Sequence, residues 1–249
     1  MILQRLASSI RKQDWFTFLI ETLIVVLGVF LGIQLGNWNE ARQDRLREAR
    51  YIERLDSEMD VIRDRLAGGV DVFTQSARGL DLLLDNIRLH RASPDADLPN
   101  DETLAYAVLN MTAGRVPAGS PAAFKEMVSS GALEILRNDE LRQALFAYDE
   151  FAVIGRDAWR TIREQQHDAT NTLFALVDMD APEDYDAFIL ENDRSNIINF
   201  DRDRYLNDPE ILTALNILQG SQINQSTLAR EQLRLAEEIE RLIAAEKTR

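Results

Sequence analysis

The sequence predicts an all-α protein with a single membrane helix near its N-terminus. Residues 15–38 form one long apolar stretch that begins at Trp15 and ends at Trp38. Later segments repeat apolar residues every three or four positions, which is the spacing of one helix face. No convincing run of alternating β-branched residues is bounded by turn signals. We therefore expect a transmembrane helix that continues into a long juxtamembrane helix and an antiparallel helical bundle.

The apolar stretch 15–38 is long enough to cross a bilayer. At about 1.5 Å per residue it spans roughly 35 Å, against roughly 30 Å for a hydrocarbon core. Trp15 and Trp38 then lie where interfacial aromatic anchors are expected. Glu21 opposes insertion, but it lies near the Trp15 end, where partial hydration lowers the cost. Two alternatives are a cleaved signal peptide, for which the sequence offers a poor cleavage site, and a buried soluble helix, which is rarely apolar on every face.

Three glycines in this stretch recur every four residues. Gly28, Gly32 and Gly36 form a repeated small-xxx-small motif, which lets two helix backbones approach closely in lipid. Glu21 and Val25 fall on nearly the same face. Glycine is also common in membrane helices that do not pair. We interpret the five residues as a packing face for a second copy of the chain or for another membrane protein.

The N-terminal tail, residues 1–14, is short and basic. Arg5, Arg11 and Lys12 outnumber its single acid, but a larger group of arginines follows the membrane helix between positions 42 and 54. A count of positive charges therefore leaves the orientation open. A short cationic tail is harder to translocate than a long domain. We expect a cytoplasmic N-terminus, which places the bulk of the chain outside the cytoplasm.

Residues 39–249 are expected to form one acidic helical domain. The predicted long helices cover about 39–67, 70–91, 138–177 and 208–246, and two short helices cover about 101–112 and 120–130. Gly68 and Gly69 predict a kink or short break, because each glycine costs about 1 kcal/mol in a helix interior relative to alanine. Asn138, Asp208 and Ser120 are predicted N-caps.

The apolar residues of the three longest segments predict which faces are buried. In the juxtamembrane segment they are Ile52, Leu55, Met59, Ile62, Leu66, Phe73, Ala77, Leu80, Leu84 and Ile87. In the middle segment they are Leu141, Leu145, Tyr148, Ala152, Trp159, Ile162, Ala169, Leu173 and Leu176. In the last segment they are Ile211, Leu215, Leu218, Leu228, Leu235, Ile239 and Leu242.

Charge and composition exclude several classes of partner and chemistry. The formal charge is −14, of which residues 40–249 carry −15 and residues 1–39 carry +1. Phosphate binding needs clustered cations, so we expect no nucleic-acid partner. The chain has no cysteine, which excludes disulfides, thiolate metal sites and a cysteine nucleophile.

No catalytic, cofactor-binding or metal-binding residue is predicted. Glu164 and His167 have the E-x-x-H spacing of di-iron bundles, but His90 lacks the second motif that such a site requires. Residues 178–193 hold seven acids and no base, without the order of ligands in an EF-hand, and are interpreted as a solvated acidic loop. Phosphate-binding loops, nucleophile elbows and H-E-x-x-H motifs are missing.

Several motifs resemble a set of uncharacterised bacterial proteins, a domain of unknown function with an N-terminal membrane helix. The similar segments are WFTFLIE at 15–21, IVVLGV at 24–29, GIQ at 32–34 and NWNE at 37–40, with Phe124, Ser129-Ser-Gly131, Leu136, Leu141-Arg142 and Tyr148 in the domain. The resemblance covers mainly residues 11–55 and 120–150. It implies a bacterial inner-membrane protein and brings no activity, ligand or site residue with it.

Two functions remain open from the sequence. The first is a non-enzymatic interaction or scaffold protein that acts through helix packing in the membrane and a bundle outside it. The second is an extracytoplasmic module that binds or senses a small molecule and signals through a membrane partner, because helical bundles can hold ligands between their helices. Catalysis is disfavoured, since the available residue types form no catalytic constellation.

Overall fold

The computed structural model describes residues 15–111, 114, 116–180 and 197–248, with side chains from residue 19 onward. The all-α prediction is confirmed, with a long apolar helix near the N-terminus. The chain divides into two compact units, Met1–Glu53 and Arg54–Arg249, and each is described by itself. The apolar segment 15–38 belongs to the first unit and the helical bundle to the second.

Six α-helices, one 3₁₀ helix and two short strands make up the described part of the chain. The helices are α1 Trp15–Ala92, α2 Asp101–Asn110, α3 Ala122–Ser130, α4 Asp139–Phe174, α5 Arg202–Asn207 and α6 Pro209–Lys247. A 3₁₀ helix covers Ala132–Ile135, and the strands are β1 Val177–Met179 and β2 Ile197–Phe200.

The predicted break at Gly68 and Gly69 is wrong. Helix α1 continues through both glycines, so the segments expected at 39–67 and 70–91 are parts of one helix. Gly69 is buried and Leu66 and Phe73 on either side of it are buried as well. Tertiary packing of a helix face routinely outweighs a propensity cost of about 1 kcal/mol per glycine.

Two of the three predicted N-caps are confirmed and one is wrong. The side chain of Asn138 accepts a hydrogen bond from the Leu141 backbone N–H at 3.1 Å, and that of Asp208 accepts one from the Glu210 N–H at 2.9 Å. Ser120 does not cap α3, because its hydroxyl donates to the Asp149 carboxylate instead.

The start of α3 is satisfied from another helix. Pro121 occupies the N-cap position and has no side chain that can accept a hydrogen bond. The Glu58 carboxylate of α1 accepts from the Ala123 backbone N–H at 3.0 Å. A negative charge beside a helix N-terminus is favourable. Gly131 ends this helix with φ +71°, a left-handed conformation that glycine adopts without strain.

The region after α4 differs from the prediction. Helix α4 ends at Phe174 rather than near residue 177, and β1 pairs with β2 in an antiparallel ribbon, with Val177 opposite Phe200. Most of the predicted acidic loop, residues 181–193, lies outside the described residues. Helix α5 was not predicted; Asp201 caps it by accepting from the Arg204 N–H at 3.0 Å. Three- and four-residue strands are too short to leave a clear alternating pattern in the sequence.

Three long helices form the frame of the bundle, and α6 runs antiparallel to both others. Toward the C-terminal end of α6, Asn138 donates to Glu246 at 2.6 Å, and Arg63 pairs with Glu240 at 3.4 Å. Near its N-terminal end, Gln219 donates to Asp81 at 2.9 Å. Since residue numbers fall along α6 as they rise along α1 and α4, the bundle is antiparallel as predicted.

One end of the bundle contains a large apolar cluster. It joins the ends of α1 and α4, the start of α6, helices α2 and α5, and the ribbon. Tyr205 is buried in it and donates its hydroxyl to the Leu83 carbonyl at 2.7 Å, and burial raises the pKa of Tyr205. The apolar cluster consists of Leu80, Leu83, Leu84, Ile87, Leu104, Ala105, Ala107, Val108, Met111, Ala169, Leu173, Leu176, Val177, Phe200, Tyr205, Leu206, Ile211, Ala214, Leu215 and Leu218.

Buried apolar side chains also occupy the other end. They include Leu55 and Met59 of α1, Leu145 of α4 and Ile243 of α6. Phe124 and Phe146 meet edge to face with ring centroids 5.3 Å apart, a favoured aromatic geometry. The bundle thus has an apolar core at both ends, and the section between them is of different composition.

Candidate functional site

The membrane helix is the first candidate site. Within the described residues, one helix is long and apolar enough to cross a membrane, with a mean hydropathy of 2.2 in its most apolar window and no part of that window buried. Every side chain from Leu19 to Trp38 is exposed in the isolated chain. A protein in water would bury such a surface, so its exposure is consistent with membrane anchoring.

No other part of the described chain covers the residues predicted to form a packing face. A Cβ added to Gly28, Gly32 or Gly36 would meet no atom of the chain within 4 Å. Glu21 and Val25 are exposed on the same helix. At about 100° per residue, all five fall on one side of α1. Trp38 is exposed, whereas Trp15 lies in the helix with its side chain outside the described residues.

The second candidate site lies in the middle of the bundle, where polar side chains replace the apolar core. Inward-facing positions along α6, all of them buried except the half-buried Ala229, follow an alternating four-three spacing over more than eight turns, which is a heptad stripe. Glutamines occupy three positions of that stripe, Gln222, Gln225 and Gln232. The whole stripe is Ile211, Leu215, Leu218, Gln222, Gln225, Ala229, Gln232, Ala236, Ile239 and Ile243.

The stripes of α1 and α4 change in the same section. In α1 the four-three spacing that includes Leu66, Phe73 and Leu80 also includes Gly69 and Ser76. In α4 the corresponding stripe includes Gly155, Trp159 and Gln166. Ser76, Gln166, Gln222, Gln225 and Gln232 are all buried, and we refer to these five residues as the amide section.

The predicted inward faces were therefore wrong in this section. Leu228 and Leu235, expected to point inward, are half-buried, while Gln225 and Gln232 are buried at 4% and 2% exposure. Likewise Ser76 is buried and the predicted Ala77 is half-buried. In α6, following apolar residues alone left a gap of ten residues between Leu218 and Leu228. The unbroken four-three interval was the signal that identifies the glutamines.

Hydrogen bonds attach the amide section to the irregular segment between α2 and α3. Gln222 donates to the Met111 carbonyl at 3.0 Å, and the Ser76 hydroxyl donates to the same oxygen. Gln232 donates to the Ala118 carbonyl at 2.6 Å and to the Tyr148 hydroxyl at 3.2 Å. Buried glutamines thus satisfy carbonyls of a segment whose described residues form no regular secondary structure.

Some of the buried polar atoms have no hydrogen-bond partner among the described residues. Gln225 donates to the Gln166 side-chain oxygen at 3.3 Å, but the Gln166 amide nitrogen is without an acceptor. The indole nitrogen of Trp159 and the amide oxygen of Gln222 are in the same situation. Burying such an atom costs about 1–3 kcal/mol. In native proteins a buried polar atom without a partner usually has an explanation, such as a hydrogen bond to a bound water or to a ligand.

A pocket opens beside these side chains. It is a narrow cleft that is partly open to solvent. Three small residues at one level of the three long helices, Gly69, Gly155 and Ala229, contribute to the lining. A Cβ on Gly155 would meet only the Phe151 ring, at 3.9 Å. The small side chains therefore leave room that larger ones at these positions would fill.

The pocket has aromatic walls and one described charge. Phe73, Phe151 and Trp159 supply rings, and Gln225 and Gln232 supply amides. Arg65 is the one charged side chain among the described lining residues, and its guanidinium donates to the Val116 carbonyl at 3.3 Å.

The Tyr148 hydroxyl lies close to this region. Burial raises the pKa of Tyr148, while the hydrogen bond from Gln232 and the positive charge of Arg65 oppose that shift. The phenol is therefore neutral at physiological pH. It serves as a fixed hydrogen-bonding group rather than as a base.

The histidines and acids considered from the sequence do not come together. His167 is exposed, and its ring nitrogen lies 3.2 Å from the Asn171 side-chain nitrogen. No group of three or more histidine, aspartate or glutamate side chains within the described residues is arranged to hold a metal ion. Residues 181–193 of the acidic segment are outside this statement.

The comparisons with known proteins give no relative. No protein-family model, no curated protein and no solved structure matches the chain.

Proposed function

We propose that this chain is a membrane-anchored, non-enzymatic interaction protein of a bacterial inner membrane, with a cytoplasmic N-terminus and a periplasmic bundle. The observation that carries the proposal is the apolar surface of residues 19–38, all of it exposed in the isolated chain. The resemblance of residues 11–55 to bacterial membrane proteins of unknown function supports the location. In lipid, such a helix is covered by acyl chains and by other helices.

The membrane helix is proposed to pair with a second copy of itself through Gly28, Gly32 and Gly36. The open space above all three glycines supports close approach of another backbone. The Glu21 carboxyl is on the same face, and a polar group near lipid is stabilised when a partner helix shields it. A hetero-partner with a small-residue face is the other outcome of the test below.

A self-association reporter assay in bacterial membranes tests this proposal. We expect Gly32→Leu and Glu21→Leu each to reduce association several-fold, because the first separates the backbones and the second removes the shielded carboxyl. Phe30→Leu is the matched control, since it lies about 160° away around the helix at roughly 100° per residue. Association that is unchanged in Gly32→Leu, or lost equally in Phe30→Leu, contradicts the packing face.

The pocket in the bundle favours a second function, binding of a small molecule outside the membrane. Pockets lined by aromatic rings with a few polar groups are the usual form of ligand sites. Such a module would signal through a membrane partner. Ligand binding and self-association involve different units of the chain, so each can fail without the other.

A further inference from the structure

We infer that the pocket between α1, α4 and α6 binds a small molecule with an apolar body and a carboxylate head. This inference rests on the second function proposed above, ligand binding, and is independent of pairing in the membrane. It specifies the chemical class of the ligand and the residues that recognise each part of it.

The carboxylate is assigned from the hydrogen-bond donors and the charge of the pocket. Arg65 provides a permanent positive charge at the lining, and a guanidinium binds a carboxylate through two parallel N–H groups. The Trp159 ring also belongs to the lining, although its N–H is buried and does not face the open space of the pocket. No acidic side chain is among the described lining residues. Arg65 can therefore attract an anion that no carboxylate of the described lining repels.

The apolar body is assigned from the walls. The rings of Phe73 and Phe151 and the side chains of Leu66 and Leu228 line the pocket together with the Trp159 indole. Aromatic rings in contact favour offset or edge-to-face partners with centroids 4.5–7 Å apart. An aromatic ring or a short acyl chain of a ligand can pack against these side chains.

The glycines explain why the pocket exists. Glycine in a helix interior is destabilising, yet α1 and α4 each place one at the lining, Gly69 and Gly155. Gly155 does not avoid a clash, since a Cβ there would meet only the Phe151 ring at an ordinary contact distance of 3.9 Å. Packing therefore does not require glycine at this position. The absence of a side chain keeps the space open.

A purely structural role for the polar side chains is the competing explanation. Buried amides can fix the register of packed helices, as single asparagines do in coiled coils. That role accounts for Gln222 and Gln232, whose amide nitrogens donate to backbone carbonyls. It does not account for Gly155, whose missing side chain leaves space that packing does not require.

Calorimetric titration of the full chain in nanodiscs of zwitterionic lipid tests the inference, with empty nanodiscs as the blank. The probes are phenylacetate, octanoate and the neutral phenylacetamide. We expect saturable binding of at least one carboxylate, at least tenfold tighter than that of phenylacetamide. Tighter binding of phenylacetate indicates an aromatic acid, and tighter binding of octanoate indicates a fatty acid.

Four variants locate the binding. Arg65→Gln should weaken carboxylate binding at least tenfold and change phenylacetamide binding less than twofold. Trp159→Phe keeps an aromatic wall and removes only a buried N–H, so it should change carboxylate binding less than twofold. Gly155→Leu should abolish binding of every probe, and Gly155→Ala should weaken it. Gly220→Ala, an exposed glycine on α6 with nothing within 4 Å of its added Cβ, is the matched control and should bind like the native chain.

Three results overturn the inference in distinguishable ways. If only the neutral probe binds, the pocket is a ligand site but the carboxylate assignment is wrong. If carboxylates bind equally well to Gly155→Leu, they bind elsewhere. If no probe binds, both the inference and the proposed ligand-binding function fail, while the reporter assay on the membrane helix is unaffected.

Discussion

The apolar cluster and the amide section are built on the same three helices with the same four-three spacing, yet they differ in how their buried groups are stabilised. The apolar cluster fills its positions with leucine, isoleucine and phenylalanine, which gain free energy from leaving water. The amide section fills them with glutamine and serine, which need specific hydrogen bonds, while Gly69 and Gly155 in the same stripes leave space. The two sections therefore differ in what stabilises them, which is transfer out of water in the apolar cluster and specific hydrogen bonding in the amide section.

Truncating a side chain of the apolar cluster should change the free energy of unfolding more than any substitution in the amide section. We expect Leu84→Ala, at a fully buried position, to lower the free energy of unfolding by about 2–5 kcal/mol, because it removes transfer energy and leaves a cavity. Denaturant unfolding followed by far-UV circular dichroism measures it. Leu82→Ala, more than one-third exposed in the same helix, is the control and should cost far less. Equal losses would mean that the cluster is not the main source of stability.

Substitution in the amide section should have an intermediate effect. Gln232→Leu removes the donor to the buried Ala118 carbonyl, so we expect a loss of about 1–3 kcal/mol from an unsatisfied buried acceptor. Gln219→Leu, whose amide contacts Asp81 at the surface, should change stability little. A Gln232→Leu chain that is more stable than the native one would show that the amide is kept for function alone.

The smallest effect concerns the pH dependence of the contact between α1 and α6. Burial raises the pKa of Glu240; Arg63 partly counteracts this, and Asp60, Asp56 and Asp64 add to it. A carboxyl with a raised pKa in the folded state takes up a proton before its unfolded counterpart, so this group adds stability as the pH falls through the folded pKa toward the ordinary value of 4.5.

Comparison with Glu240→Gln isolates that contribution from the other carboxylates. Between about pH 7 and about pH 5, we expect the native chain to gain stability relative to Glu240→Gln in denaturant unfolding. The comparison matters because Asp208, Glu231 and Glu238 have lowered pKa values and change stability in the opposite direction. A constant difference between the two chains over this range would contradict the raised pKa.

Local signals in the sequence determined most of the helices. Asn138 and Asp208 carry the information for two helix starts in their own side chains, and the position of Gly131 marks a helix end. The prediction failed at Ser120 because the fold places the Asp149 carboxylate next to its hydroxyl. The hydroxyl donates to that carboxylate and does not cap the helix. A cap can be predicted only when no distant partner competes for it.

The sequence by itself determined the fold class, the apolar helix at 15–38 and the heptad spacing, because each depends on neighbours along the chain. Only the tertiary structure decided that Gly68 and Gly69 continue a helix, that glutamines rather than leucines face inward in α6, and that Arg65, Gly155 and Trp159 share a pocket. Those features depend on three helices meeting at one level. Residues about 90 positions apart, such as Arg65 and Gly155, show no sign of that meeting until the chain is folded.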